Sequence, residues 1–267
     1  MKRLLFSILL IYISTCYIGA QTQIFDGLDR EQYLARVKLL DEFFVRFNGE
    51  EMRNDVPEEY RNRESGILLL FDLSQFQSKQ DSSFVMAENF AHFVVQNKTK
   101  LNFEDKNWFA RIKCHGKLGK EKVSFFMFLC VEERDSAMYR WTINNVEGDI
   151  FLNSRDYPHN ELFIMPNDNE QFFQSIRKVT SETYEYIDDF VKKSYKADSL
   201  STFLALVRSN QLKIEAITDI EFVFLQVPEY MFKVMYFERN NKNAGWLIRS
   251  CVKLSDECKA KILKKIY

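Results

Sequence analysis

Chain breakers and histidines are scarce in this sequence. Only 8 glycines and 4 prolines punctuate 267 residues, while 25 Phe and 12 Tyr supply core material, so disorder is not expected over most of the chain. Three histidines are too few and too scattered for a shared metal site: His92 falls in a helical stretch, His115 at an expected hairpin turn and His159 in a linker, and each reads as structural. The sequence also lacks His-Glu-x-x-His, Gly-x-Ser-x-Gly, a phosphate-cradling Gly-rich loop and Cys-x-x-Cys. Their absence removes the cheapest support for zinc peptidase, serine hydrolase, nucleotide and thioredoxin-type chemistry. No cofactor, metal or catalytic set is implied. No charge of one sign dominates either, which leaves no electrostatic case for nucleic acid or an anionic membrane.

What is present begins with an export signal. Met1-Lys2-Arg3 is followed by the apolar run Leu4–Ile13 and the small-residue exit Ile18-Gly19-Ala20 before Gln21, the order of a cleavable secretory leader over residues 1–20. The run is shorter than the roughly 20 apolar residues a membrane span needs. Cys16, after the apolar run, offers the alternative of lipidation and a membrane tether, although Thr15 before it is bulkier than the usual small residue. Removing the leader takes away Lys2 and Arg3 and no acid, leaving 35 basic against 38 acidic residues. No later stretch reaches spanning length without charges, so no transmembrane segment is expected after signal removal. The address is the periplasm or the cell surface. Export permits disulfides among Cys114, Cys130, Cys251 and Cys258; four cysteines allow three full pairings. Cys251 and Cys258, close in sequence across a strand-to-helix junction, are the favoured pair, and the alternative is that all four are small buried hydrophobes.

Periodicity then divides the chain. A helix capped at Asp29 carries Tyr33, Val37, Leu40, Phe44 and Phe47 on one side and stops at Asn48-Gly49. Pro57-Glu58-Glu59 opens a second helix, Ile67–Phe71 reads either as a buried helix end or as a strand, and Ser83–Gln96 reads as a third helix. From Trp108 the period becomes that of strands: Trp108–Cys114, Val123–Glu132 after a Gly116–Gly119 turn, and Met138–Val146. Residues 152–169 are linker chemistry. Helices over Glu170–Ser194 and from a Ser199 cap to Asn210 precede strands at Leu212–Ile217, Ile220–Val227, Tyr230–Glu238 and Gly245–Lys253, with a last helix at Ser255–Lys265. The class is α+β, with a first domain at 21–152, a linker at 153–169 and a second domain at 170–267.

Helices then antiparallel strands, twice over, suggest duplication. Glu133-Arg134, six residues and Trp141-Thr142-Ile143 match Glu238-Arg239, six residues and Trp246-Leu247-Ile248. This element order, with its two Glu-Arg, Trp-x-Ile hairpins, resembles a tandem of NTF2-like or cystatin-like cones, in which helices cover a curved antiparallel sheet. The resemblance implies a cavity used for ligand binding, protein docking or acid-base catalysis, and fold alone does not choose among them. The phrases Arg46-Phe47-Asn48-Gly49, Gln226-Val227-Pro228 and Asn243-Ala244-Gly245-Trp246-Leu247-Ile248 are similar to those of exported proteins of Gram-negative gut anaerobes that carry no assigned activity.

The candidate binding residues follow from aromatics and repeated charge pairs. Trp141, Trp246 and Tyr230 suit sugars or peptides, and Glu133, Arg134, Glu238 and Arg239 pair either with cross-strand neighbours or with ligand. The adjacent carboxylates Glu132-Glu133 and Asp188-Asp189 read as solvated faces, and Cys114-His115 points to opposite faces of a strand. The expected function is an exported, non-catalytic binding protein whose partner is a small molecule, peptide, glycan or envelope protein. The rivals are a small hydrolase or isomerase with a carboxylate in a cone, and a structural partner of an envelope assembly.

Overall fold

A computed structural model describes residues 39–50, 62–134, 138–151, 198–239 and 244–267, apart from the side chains of Arg134 and Met138. The leader with Cys16, His159, Asp188-Asp189, the linker 153–169 and the helix expected over 170–194 lie outside the described residues.

The fold is α+β, with five helices and a six-stranded antiparallel open sheet among the described residues. Helix α1, Leu40–Asn48, ends where the sequence predicts. Gly49 takes a left-handed φ of 69°, and the Gly49 and Glu50 amides return to the carbonyls of Arg46 and Val45, a stop that glycine makes without steric cost. Helix α2, Arg63–Leu69, starts at Asn62, whose side chain accepts from the Glu64 amide. The ambiguous run Ile67–Phe71 is a buried helix end and not a strand: the helix closes at Leu69, and Phe71 makes a single isolated parallel bridge to Ile248. Helix α3, Ser82–Gln96, is capped by Asp81 and buries Phe84, Ala87, Phe90, Ala91 and Val94 at helical spacing.

The strands are β1 Trp108–Leu118, β2 Glu121–Arg134, β3 Met138–Glu147, β4 Leu212–Phe224, β5 Tyr230–Phe237 and β6 Gly245–Lys253. Helix α4, Ser199–Arg208, precedes β4, and α5, Asp256–Ile266, follows β6 from a Ser255 cap. Strand order is β3-β2-β1-β4-β5-β6, two three-stranded meanders whose first strands lie side by side. Several local expectations are corrected. The two strands predicted on either side of Thr218-Asp219 are one strand, β4, because backbone pairing with β1 carries it through a stretch, residues 213–220, whose side chains are all exposed. Gly116 belongs to β1, where a Cβ would come within 2.2 Å of the Lys213 carbonyl oxygen; the turn rests on Gly119, at φ 61°. His115 is accordingly a strand residue, paired with Ser124 at 2.8 Å. Asp198, not Ser199, caps α4, accepting from the amides of Leu200 and Ser201.

The described residues fall into two compact units, one within Met1–Cys114, Phe126–Asn145 and Ala216–Tyr267, the other within His115–Phe125 and Val146–Glu215. Each draws on both halves of the sequence. In the smaller, Phe125, Phe151 and Phe203 meet at ring distances of 5.4 to 6.0 Å, and the Gly119 amide donates to the Gln211 carbonyl. In the larger, helices α1 to α3 pack on one face of the sheet against Trp108, Phe222, Phe224, Phe232, Val234 and Ile248. The alternate residues Phe109, Phe128, Val223 and Leu225 face the other way and are met by Ile262, Leu263 and Ile266 of α5. The buried ammonium of Lys259 anchors α5 by donating to the carbonyls of Leu225 and Val227, and burial lowers its pKa.

All four described cysteines are free, which corrects the favoured pairing. Cys251 packs against the core on the helix-facing side of the sheet, whereas Cys258 is exposed on α5, which covers the opposite side. Burial pushes the Cys251 thiol up to about 12. Titrating the native protein with an aromatic disulfide is expected to release the Cys258 equivalent rapidly and those of Cys114, Cys130 and Cys251 only on unfolding, because the thiolate is the nucleophile and burial suppresses it. A dithiol reductant is expected to leave Tm unchanged; a drop of several degrees would mean a bridge.

Candidate functional site

The repeated tryptophans sit on the two edge strands, Trp141 on β3 and Trp246 on β6. In a flat sheet β3 and β4 would be about 14 Å apart, three strand spacings. Yet the Trp141 ring lies 5.9 Å from that of Phe222 on β4, and Trp246 lies 4.8 Å from the same ring. The helix-facing side of this sheet is therefore concave, and both edges lean toward one central phenylalanine. The ring contacts continue outward, from Trp141 to Phe103 at 6.3 Å and from Trp246 to Tyr236 at 5.4 Å. Phe222 is only 8% exposed, but Phe103, Trp141 and Tyr236 are 37%, 38% and 50% exposed. The row thus has a buried middle and accessible ends. Trp108, beneath it, is core, with its indole N–H donated to the Phe103 carbonyl at 3.0 Å.

The other predicted residues separate from this row. Tyr230 is a core residue, 2% exposed, its ring 5.3 Å from Phe90 and 5.2 Å from Phe93; burial raises its phenol pKa. Arg239 is engaged by Asp72, Nη1 donating to Oδ1 at 2.7 Å, while Arg249 donates to Oδ2 at 3.2 Å. Glu238 is exposed, and the side chain of Arg134 lies outside the described residues. Sequence reasoning did not single out Asp72, although it is fully buried. Its only sequence signal was a lone acid at the end of an apolar run. Burial works to raise the Asp72 pKa, but hydrogen bonds from Arg239 and Ser74 and the Arg239 charge outweigh it, and the net direction is down.

Glu133 belongs to a different place, a cavity of about 480 Å³ beside the β2–β3 hairpin. Glu104, Glu132, Glu133, Tyr139, Thr142 and Asn144 line most of it. Lys106, Cys130, Val131 and Tyr267 complete the wall, and near the end of α5 the Tyr267 hydroxyl donates to the Lys106 carbonyl at 3.2 Å. Glu132 is neutralised by Arg140, which donates through Nε and Nη2 at 3.1 and 2.9 Å. Among the described residues no three His, Cys, Asp or Glu side chains gather to hold a metal, and no helix is long and apolar enough to cross a membrane. Compared with protein families, curated proteins and solved structures, the chain matches none.

Proposed function

We propose that this chain is an exported, non-catalytic binding protein of the cell envelope, periplasmic or held at the surface, which takes its ligand on the aromatic row. The observation that carries this reading is the convergence of Trp141 and Trp246 on Phe222 while the ends of the row stay accessible. Flat, amphipathic rings along a concave face offer large contact area at low conformational cost, which suits a glycan or an extended peptide. A leader at residues 1–20, with Cys16 as an alternative lipid tether, would put such a surface where those ligands occur.

The same reading includes two related units of the cone type. Its support is the strand order, in which β1 and β4, β2 and β5, and β3 and β6 stand symmetrically about the sheet centre, with Trp141 and Trp246 at matching edges. The rival, a hydrolase or isomerase with a carboxylate inside a cone, finds less support. The fully buried carboxylate among the described residues, Asp72, is held by two arginines rather than offered to a cavity.

Tryptophan emission of the mature protein, followed while panels of oligosaccharides and short peptides are titrated, tests the proposal. A ligand is expected to shift the emission to the blue, and Trp141→Ala is expected to weaken its binding about tenfold or more, with Tm little changed. Emission indifferent to both panels, or binding untouched by Trp141→Ala, would sink the reading.

A further inference from the structure

The aromatic row does not exhaust the polar chemistry of the larger unit. Strand alternation puts Tyr139 with Trp141 on the concave, helix-facing side of β3 and Thr142 with Asn144 on the opposite side, so the cavity wraps the edge strand beside the β2–β3 hairpin, and Trp141 is not among the residues that line it. Three elements build it. The loop before β1 supplies Glu104 and Lys106, β2 and β3 supply Glu133, Tyr139, Thr142 and Asn144, and the end of α5 supplies Tyr267. The amide of Asn145 donates to the Lys265 carbonyl, tying that helix end to β3. Thr142 is oriented too, its hydroxyl donating to Asn144 Oδ1 at 3.0 Å. The volume, about 480 Å³, falls within the usual size of small-molecule sites.

Charge decides what would fit. Glu132 already has Arg140, but among the described residues neither Glu104 nor Glu133 makes an ion pair. Both act on one point, the Tyr139 hydroxyl. Partial withdrawal from water, a hydrogen bond to Glu104, and the charges of Glu104 and Glu133 all raise its pKa. Two carboxylates outside any ion pair converge on a phenol, and with Arg140 taken up by Glu132 the lining adds one cation, Lys106, so the site stays net negative and a cation would relieve it, with hydroxyl and amide acceptors around it and the Tyr139 ring at its side. Among the described residues no three His, Cys, Asp or Glu side chains gather to hold a metal ion, and a lining completed by a phenol, a hydroxyl and a side-chain amide suits an organic cation. We propose that this cavity binds a small ligand bearing a primary ammonium or guanidinium group, held by Glu104, Glu133 and Tyr139.

A matched series of four-carbon probes tests charge apart from shape: putrescine, 1,4-butanediol and succinate, titrated into the mature full chain by calorimetry and by amide chemical-shift mapping. Putrescine is expected to bind, to weaken with added salt, and to shift the amides of Tyr139, Thr142 and Asn144, while the diol and the diacid do neither. The Glu104→Gln/Glu133→Gln double variant is expected to lose about tenfold or more in putrescine affinity, and Trp141→Ala to lose none. Equal binding of the diol, preference for succinate, shifts confined to other residues, or no binding of any probe would overturn the proposal. If the double variant does not fold, the shift map on the native protein decides alone. Failure here with an intact response of the aromatic row to its own ligand leaves the previous proposal standing, because Trp141→Ala separates the two.

Discussion

Phe224→Ala is expected to lower the free energy of unfolding by about 4 kcal/mol, the range for a large aromatic removed from a close-packed core. Phe224 is fully buried at the centre of the ring network. It stacks on Trp108 at 5.2 Å and on Phe232 at 4.8 Å, and meets Phe43 and Phe44 at 5.9 and 5.6 Å. Helix α1 and strands β1 and β5 all lean on this one side chain of β4, so truncation opens a cavity that no single neighbour can fill without leaving its own rotamer. Urea unfolding is the measurement, with the midpoint falling and the slope held. Tyr236→Ala, at a half-exposed end of the row, is the comparison and is expected to cost about 1 kcal/mol or less. Similar losses in the two variants would show that the ring network is not the centre of stability.

Asp72→Ala is expected to cost about 3 kcal/mol near neutral pH, since it strips the paired acceptor from two arginines and removes a local cap. The carboxylate is fully buried. It binds Arg239 and Arg249 and accepts from the Ser74 hydroxyl and amide at 2.6 and 3.2 Å. Its backbone also matters, because the Asp72 amide donates to the Ile248 carbonyl and the Ile248 amide to that of Leu70, fastening the segment after α2 to edge strand β6. The pH dependence has a definite sign. The folded pKa is below the ordinary 3.8, so the contribution is full above that value and fades as pH falls through the lower folded pKa. The gap between wild type and Asp72→Ala should therefore be constant from pH 5 to 7 and close under stronger acid, read as urea midpoints across pH. A gap that widens in acid would reverse the assignment.

The sequence was most legible where local chemistry acts alone. Asn48-Gly49 as a helix stop, the register of α3, the bounds of β6 and the Ser255 start of the last helix depend on neighbours within a few residues, and each is found as read or within a residue or two. Reading failed where a distant backbone intervened. Thr218-Asp219 look like a break, but the β1 ladder runs past them; Gly116 looks like a turn, but the approach of Lys213 demands a glycine within the strand. The candidate residues divided in the same way. Aromatic type marked Trp141 and Trp246, yet only the concavity brings them to one phenylalanine, and nothing local distinguishes them from Tyr230, which is core.

What the sequence determined by itself is the α+β class, the helix and strand content, and the repeated Glu-Arg, Trp hairpins, since periodicity, caps and turn residues are encoded in short stretches. What only the tertiary structure decided is the order of strands in one sheet, the partnership of Asp72 with arginines more than 160 residues away, the separation of Cys251 from Cys258 by the sheet, and the cavity that joins Glu104 to Glu133. All are set by which faces bury against each other: the meetings join remote segments that no short window contains, and even the two cysteines, close in sequence, are parted by the sheet their segments pack on.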